Sequence, residues 1–434
     1  MRKENTPTFA IETHGCKLNQ ADSLVLAREF VMAGYKQVSV GQPSDVYLLN
    51  SCTVTHTADK KARQALRRAR RLNPNATLVA AGCYTERAQD DVKSMEEVDL
   101  VFGNRDKTSL VNTVQNWIRG SSTTWSNALV GPMDLALRTD VSRARAMVKI
   151  QEGCNQVCAY CIVPKVRGRE VSINPDQIIK EINSRSMEGY QEVVLTGTQL
   201  GTYGFEWQNM DLCELLRRIL NATDIGRIRV SSLQPQEISS ELLQLWRNER
   251  LCPHFHLPLQ SGSNNILTKM RRRYRSEDYV DSAVMIRNTV ANASITADVI
   301  TGFPGETEED FSLTCEIVEE LGFSDLHVFP YSPRPGTSAA YFDGQVDGQT
   351  KARRQRVLLD LGDMHRMTFR TRMVGSVHSV LWESMTSFNK QSYWSGLTGN
   401  YIRVLRKTNL PITECISDVM LVGTIGKDVM GELT

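Results

Sequence analysis

Short apolar runs alternate with amphipathic stretches along most of this chain, and the alternation changes character twice. Residues 9–13, 46–50 and 77–82 are brief apolar runs, each followed by a turn and then a helical pattern such as that at 21–32. This βαβ rhythm implies a parallel sheet with helices on its faces. Residues 121–142, which include Ser121-Ser122-Thr123-Thr124, carry no periodicity and read as a linker. A second α/β series begins at Arg145. Its strand candidates lie at 147–151, 192–195, 228–230, 254–259, 296–300 and 327–331, with helical stretches between them. Thr307 and Asp310 have capping-box spacing at the start of one of those helices. Such series close into barrels whose sites are built from the loops after the strands. Six repeats instead of eight predict a partial barrel, open on one side to a large substrate. Residues 352–373 form a basic helical stretch expected to return to the N-terminal part. After Gly375 the pattern turns to short strands around 378–383, 400–405 and 419–423, with turn residues at 395–399. That predicts a small β-barrel of the kind that binds oligonucleotides. The chain is thus expected to be α/β, with domains at 1–120, 140–370 and 374–434.

A length of 434 residues agrees with about three domains. The polar start at residues 1–5 lacks a signal-peptide core, and no apolar run is long enough for a membrane span. Ten cysteines without a secretory signal argue for reduced thiols and metal, in the cytoplasm, over a disulfide framework. Net charge is only 51 − 49 = +2, yet the basic residues are clustered. Residues 60–71 hold Lys60, Lys61, Arg63, Arg67, Arg68, Arg70 and Arg71 with no acid, and Arg271-Arg272-Arg273-Tyr274-Arg275 is a second cluster. Each is either a phosphate-binding surface or a solvated helix face.

The cysteines carry the chemistry. Cys154, Cys158 and Cys161 form a C-x-x-x-C-x-x-C run. A four-iron cluster needs four ligands, so three cysteines leave one iron open to a substrate or cofactor. Structural zinc instead favours paired C-x-x-C units with a second pair elsewhere, which this chain lacks. Cys16, Cys52 and Cys83 each come just after a predicted strand of the first series, two of them after glycine (Gly15, Gly82). Ligands in open α/β sheets bind beyond the carboxyl ends of the strands. These three are therefore expected to converge as a second three-cysteine cluster site. Cys213, Cys252, Cys315 and Cys415 lack partner spacing and read as core. His254 and His256 alternate along one strand, where a structural role is preferred to ligation.

The run at 154–161, with Tyr160 before its third cysteine, resembles the radical S-adenosylmethionine (SAM) superfamily. The whole chain resembles the methylthiotransferase family within it. The resemblance rests on Thr13-His14-Gly15-Cys16-Lys17-Leu18-Asn19-Gln20, on residues 44–55 around Asn50-Ser51-Cys52, on residues 256–263 (His256-Leu257-Pro258-Leu259-Gln260-Ser261-Gly262-Ser263), and on residues 298–306 around Gly302-Phe303-Pro304. Lys17-Leu18-Asn19 resembles the branch acting on N6-threonylcarbamoyladenosine; the isopentenyladenosine and ribosomal-protein branches differ there. Ser51, and Ser231-Ser232-Leu233-Gln234-Pro235, depart from the family pattern. The resemblance implies a central radical-SAM partial barrel, a C-terminal TRAM barrel, two four-iron clusters and SAM. It implies methylthiolation at C2 of adenosine 37, beside the anticodon of tRNA, with the anticodon loop as partner and an electron donor such as flavodoxin. Cys154, Cys158 and Cys161 would hold the SAM-binding cluster, and Cys16, Cys52 and Cys83 the auxiliary one. Tyr160, Gly197, Gln199, Gln260, Ser261 and Gly302 are SAM-contact candidates by loop position, although the glycines also fit plain turns. The alternatives are the isopentenyladenosine branch, a radical-SAM methyltransferase or plain sulfur donor, and an RNA-binding protein with a structural cluster.

Overall fold

The computed structural model describes residues 6–120, 144–408, 412 and 416–434. The polar start at 1–5, the proposed linker at 121–142 and Cys415 lie outside the described residues. The chain divides into two compact units. The first takes Met1–Val141 with Glu152–Asn155 and Cys161–Glu170; the second takes the remainder. Among the described residues no helix is long and apolar enough to cross a membrane.

The first unit is built on a five-stranded parallel sheet. Its strands are β1 (Thr8–Thr13), β2 (Lys36–Gln37), β3 (Val46–Ser51), β4 (Thr77–Gly82) and β5 (Leu100–Phe102), in the order β2-β1-β3-β4-β5. The central strand β3 is buried along its whole length, as a strand covered by helices on both faces must be. Alternate residues serve opposite layers. Phe9, Val46, Leu48 and Val79 meet Leu26, Phe30, Leu110 and Val114 on one face. Ala10, Tyr47, Leu49, Leu78 and Ala80 meet Ala62, Ala65, Leu66 and Ala69 on the other. Those last four lie on the helix His56–Leu72, at one-face spacing. Its first turn is capped by the Thr55 side chain, which accepts from the Ala58 N–H at 3.1 Å. The edge strands β2 and β5 are not foreshadowed in the sequence, being only two and three residues long.

The second unit carries the six expected barrel strands. They are β6 (Arg145–Lys149), β9 (Glu192–Thr196), β10 (Arg227–Val230), β11 (His254–His256), β12 (Ser294–Thr301) and β13 (Asp325–Pro330); the two-residue strands β7 (Gln151–Glu152) and β8 (Val171–Ser172) lie between the first two in sequence. Pairing is parallel throughout, β6-β9-β10 and β11-β12-β13, with single bridges Ile228↔Leu251 and Ser232↔His256 continuing the ladder across the middle. Ala146, Val148, Val193, Leu195, Ile228, Val230, Phe255, Ile295, Val299 and Leu326 join the helices in one core. The strand period of two turns Lys149, Thr196, Arg229, His256, Asp298 and His327 to the other face, the barrel lumen. The capping box at Thr307 forms as expected, opening the helix Glu308–Leu321.

The basic helical stretch forms the helix Gly348–Met373. It runs along β13. Gly362 lies against Leu326, Gln355 donates to the Val328 carbonyl at 3.0 Å, and Arg354 pairs with Glu306 at 2.6 Å. It delivers the chain to a closed five-stranded ring, β14 (Val377–Phe388), β15 (Gln391–Thr398), β16 (Arg403–Arg406), β18 (Asp428–Leu433) and β17 (Ile416–Ile425), around Val380, Trp382, Val404, Val419, Leu421 and Val429. The ring is docked onto the start of the barrel strands. Glu192, buried completely, pairs with Arg227 and Arg229 at 3.0 and 2.8 Å. The same arginines donate to the carbonyls of Leu397 (3.1 Å) and Gly399 (2.8 Å). Burial pushes the Glu192 carboxyl up, but Arg229 and Arg227 outweigh it and hold the group well below the usual carboxylate range. Tyr401 stacks on His254 with centroids 4.5 Å apart, so the structural reading of His254 holds.

Candidate active site: two cysteine sets

Three strands of the first sheet end side by side. Thr13 pairs with Asn50 and Ser51 with Gly82, so the chain leaves β1, β3 and β4 at one edge. Cys16 caps the helix Lys17–Met32, Cys52 follows β3 directly, and Cys83 opens the helix Cys83–Arg87. Two glycines make the approach possible. A Cβ on Gly15 would sit 2.6 Å from the Cβ of Cys52, and one on Gly82 would sit 2.4 Å from the Ser51 carbonyl. Both have positive φ, at 133° and 108°, where a side chain is strained. Burial pushes the Cys52 thiol up to about 11, with the neighbouring Cys83 and Cys16 adding to the rise, which places the three sulfurs in one electrostatic neighbourhood.

Polar groups surround this set. Asn104 Nδ2 lies 3.5 Å from the Cys83 sulfur, the Val54 N–H 3.4 Å from that of Cys52, and Asn19 3.5 Å from that of Cys16. Behind them is a buried ionic group. Arg167 reaches Asp22 (2.9 Å), Glu152 (2.6 Å) and Asn19 Oδ1 (2.6 Å), and Lys107 reaches Asp22 at 2.7 Å. Burial opposes the charge on Arg167, but Cys83, Asp22, Glu152 and Cys16 hold it firmly protonated. Three soft sulfur donors, amide donors aimed at two of them and a buried cation fit an iron–sulfur cluster with one iron free of protein thiolate.

Around Cys158, in the second unit, the residues assemble differently. Arg272 Nη1 lies 3.5 Å from its sulfur, and Arg272 Nη2 donates to Gln234 Oε1 at 3.1 Å. Gln234 Nε2 donates to Gln156 at 3.3 Å and also to Gln199, and Gln199 donates to Glu237. Burial raises the Glu237 carboxyl to about 7, despite hydrogen bonds from Gln234 and Gln199 that pull the other way. Gly201 leaves room for Glu237, since a Cβ there would fall 2.0 Å from its Cδ. The Arg272 guanidinium lies 4.8 Å from the Tyr274 ring centroid. In the first unit, Cys154 is buried and its N–H donates to the Gly168 carbonyl at 3.1 Å. Gly153 comes so close to Arg169 that a Cβ would lie 1.9 Å from that carbonyl oxygen.

Of the SAM-contact candidates, Gln199 joins the hydrogen bonds around Cys158. Tyr160 meets Phe303 edge-on at 6.5 Å. Gly197 packs on Leu200 and Gln151. Gln260 adopts φ +65° and bridges to Val299; Ser261 is buried with its hydroxyl 3.4 Å from that of Thr314; Gly302 donates its N–H to Glu306 at 2.7 Å. Glu237, Gln156 and Arg272 were missed as site residues. Arg272 was visible only as one of a basic cluster, and it is the member that turns away from solvent. Cys252 is buried, while Cys213 and Cys315 pack against the barrel core, as read. Among the described cysteines none is in a disulfide.

The basic helix also divides. Arg70 donates to the carbonyls of Pro74, Ala76 and Glu97 and pairs with Asp99 at 2.6 Å, and Arg68 pairs with Glu12 at 2.7 Å. Lys60, Lys61, Arg67 and Arg71 remain exposed.

Comparisons with known proteins agree with this architecture. Residues 8–103 match the uncharacterized protein family UPF0004, and residues 148–318 match the radical SAM superfamily, whose domain implies a four-iron cluster and SAM. The threonylcarbamoyladenosine tRNA methylthiotransferase MtaB of Bacillus subtilis (strain 168) is 36% identical over 409 residues, 92% of this chain and 90% of that protein. The MtaB of Aquifex aeolicus (strain VF5) is 36% identical over 91% of this chain and 99% of its own length. The tRNA-2-methylthio-N(6)-dimethylallyladenosine synthase of Pelotomaculum thermopropionicum is also 36% identical, over 86% of each chain. Among solved structures, the radical SAM methyltransferase TsrM of Kitasatospora setae shares the fold, with a TM-score of 0.58 at 13% identity over 77% of this chain and 75% of that one. Two matching family regions and relatives of this similarity along nine-tenths of the chain show that it belongs to the radical-SAM methylthiotransferase family.

Proposed function

We propose that this protein methylthiolates C2 of N6-threonylcarbamoyladenosine at position 37 of tRNA. The observation that carries the reading is the pairing of two three-cysteine sets in one chain, one on the barrel's first loop and one at the end of the N-terminal sheet. When bound, the two clusters supply what side chains cannot: one-electron cleavage of SAM to a radical able to break a strong C–H bond, and sulfur for the new bond. Cys154, Cys158 and Cys161 would hold the first cluster, and Cys16, Cys52 and Cys83 the second. The chain's own groups do the rest. Arg272 places a fixed positive charge beside the Cys158 sulfur, and Gln199, Gln234 and Glu237 form a buried polar wall next to it. Asn19, Asn104 and the Val54 N–H lie against the other thiols, with Arg167 supplying positive charge behind them. The target base lies in a single-stranded loop, where a nucleotide can be turned out at little cost. The C-terminal ring, read as a TRAM barrel, and the exposed basic residues would hold the phosphate backbone. The same reading places the protein in the cytoplasm with a low-potential donor such as flavodoxin.

Lys17-Leu18-Asn19 after the first cysteine favours the threonylcarbamoyl branch. The equal identity to the Pelotomaculum enzyme favours the dimethylallyl branch as second reading. Mass spectrometry of tRNA nucleosides from a strain lacking the gene decides between them. Loss of the 2-methylthio form of threonylcarbamoyladenosine alone is expected; loss of the 2-methylthio isopentenyl nucleoside instead would reverse the choice.

The phosphate contacts have their own test. Arg67→Glu with Arg71→Glu should weaken tRNA binding and lower the slope of log affinity against log salt by about two units, about one per lost contact. Filter binding at several salt concentrations measures it. An unchanged slope would leave this helix face solvated and place RNA contact elsewhere.

A further inference from the structure

We propose that His256, Asp298 and His327 form a binding site for a divalent transition-metal ion in the barrel lumen, in addition to the cysteine-held clusters. The three residues sit on neighbouring parallel strands. Asp298 of β12 lies directly opposite His327 of β13, and His256 of β11 lies opposite Thr296, two residues before Asp298 on the same face. The topology therefore turns all three side chains to one side. His256 Nε2 is 3.3 Å from Asp298 Oδ2, and His327 Nδ1 is 3.0 Å from Asp298 Oδ1. One ligand atom from each residue falls within 4.8 Å of the other two. Ligands sharing a tetrahedral or octahedral ion at bond lengths of about 2.0–2.2 Å are themselves about 3.0–3.5 Å apart. The observed separations at Asp298 are of that size.

The surroundings match what such ligands need. His256 Nδ1 lies 2.9 Å from the Thr296 hydroxyl, which fixes the ring and leaves Nε2 toward Asp298. A metal-bound imidazole is regularly anchored in this way through its other nitrogen. Asp298 sits between the two rings, one carboxylate oxygen toward each. Two imidazoles and one carboxylate, without sulfur, are the donor set of zinc and of non-haem ferrous iron, and they leave coordination positions open. The His327 side chain is 50% exposed, so those positions can be reached by water or by an oxygen-donating substrate group. Read one at a time, these residues are an alternating strand histidine, the first residue of a motif and the first residue of a strand candidate. The ladder register makes them one donor set.

Zinc is the probe. The reconstituted enzyme, its cluster cysteines occupied, is equilibrated with one equivalent of Zn2+ and desalted. About one zinc per chain is expected for the parent, ligated by nitrogen and oxygen at about 2.0–2.1 Å in zinc-edge X-ray absorption. His327→Gln and Asp298→Asn should each lose the zinc while keeping the parent's iron content and melting temperature. The proposal is overturned if the parent retains no zinc, if sulfur appears at about 2.3 Å, or if both folded variants retain zinc as the parent does. In any of those cases the three side chains are a hydrogen-bonded array only.

Discussion

Cys158→Ala should eliminate 5′-deoxyadenosine formation from SAM while sparing the N-terminal cysteine set. Cys158 stands in a loop, half-buried, with Arg272 and Gln156 as its side-chain neighbours. Losing one sulfur there removes little packing, so the cost is to the metal site and not to the fold. Two remaining thiolates do not hold a four-iron cluster firmly. Iron after anaerobic reconstitution should therefore fall to about half, from about eight to about four per chain, if each set holds one four-iron cluster. Liquid chromatography of the quenched reaction reads the nucleoside directly. A variant that still makes deoxyadenosine at the parent rate would remove Cys158 from the assignment.

The reciprocal substitution should separate the two halves of the chemistry. Cys52→Ala should keep deoxyadenosine production and abolish methylthio product, a loss limited only by assay sensitivity. Cys52 shares its neighbourhood with Cys16 and Cys83, and Gly15 and Gly82 fit closely against Cys52 and the β3 segment just before it. A structural cysteine at that position would show a lowered melting temperature with product formation intact. A sulfur-holding cysteine would show the opposite. Running both assays on one preparation distinguishes these outcomes.

Sequence pattern carried the strands that are long and buried, and the cysteines carried the sites, because each type of signal is local. The six barrel strands and the edge shared by Cys16, Cys52 and Cys83 follow from runs of apolar residues and the residue just after them. The edge strands β2 and β5 escaped because two or three residues make no period. Glu237, Gln156 and Arg272 escaped for a different reason. Gln156 lies within the cysteine run itself, where no spacing rule marks it, while Glu237 and Arg272 come from distant segments that only folding brings to the network beside Cys158. The basic helix shows the limit of charge reading. Arg70 and Arg71 are adjacent in the run, yet one is held by three carbonyls and an aspartate while its neighbour faces water. Helical phase decides that, and a count of charges does not record it. Gln234 stands where the family pattern has another residue, but it lies at the centre of the hydrogen bonds beside Cys158.

The docking of the C-terminal ring has a practical consequence for truncation experiments. Arg227 and Arg229 share their donors between Glu192 and carbonyls of the ring, and Tyr401 covers His254. Cutting the chain after the long helix would leave Glu192 with both arginines but strip Arg227 and Arg229 of their carbonyl acceptors and uncover the group. Each lost hydrogen bond from a charged donor is worth about 1.5–3 kcal/mol. A shortened protein that loses activity would therefore report damage to the barrel before it reported lost grip on RNA. Point changes on the ring's outer face are the sound way to ask what it binds, and a ring transplanted from a relative should bring along its own partners for Arg227 and Arg229.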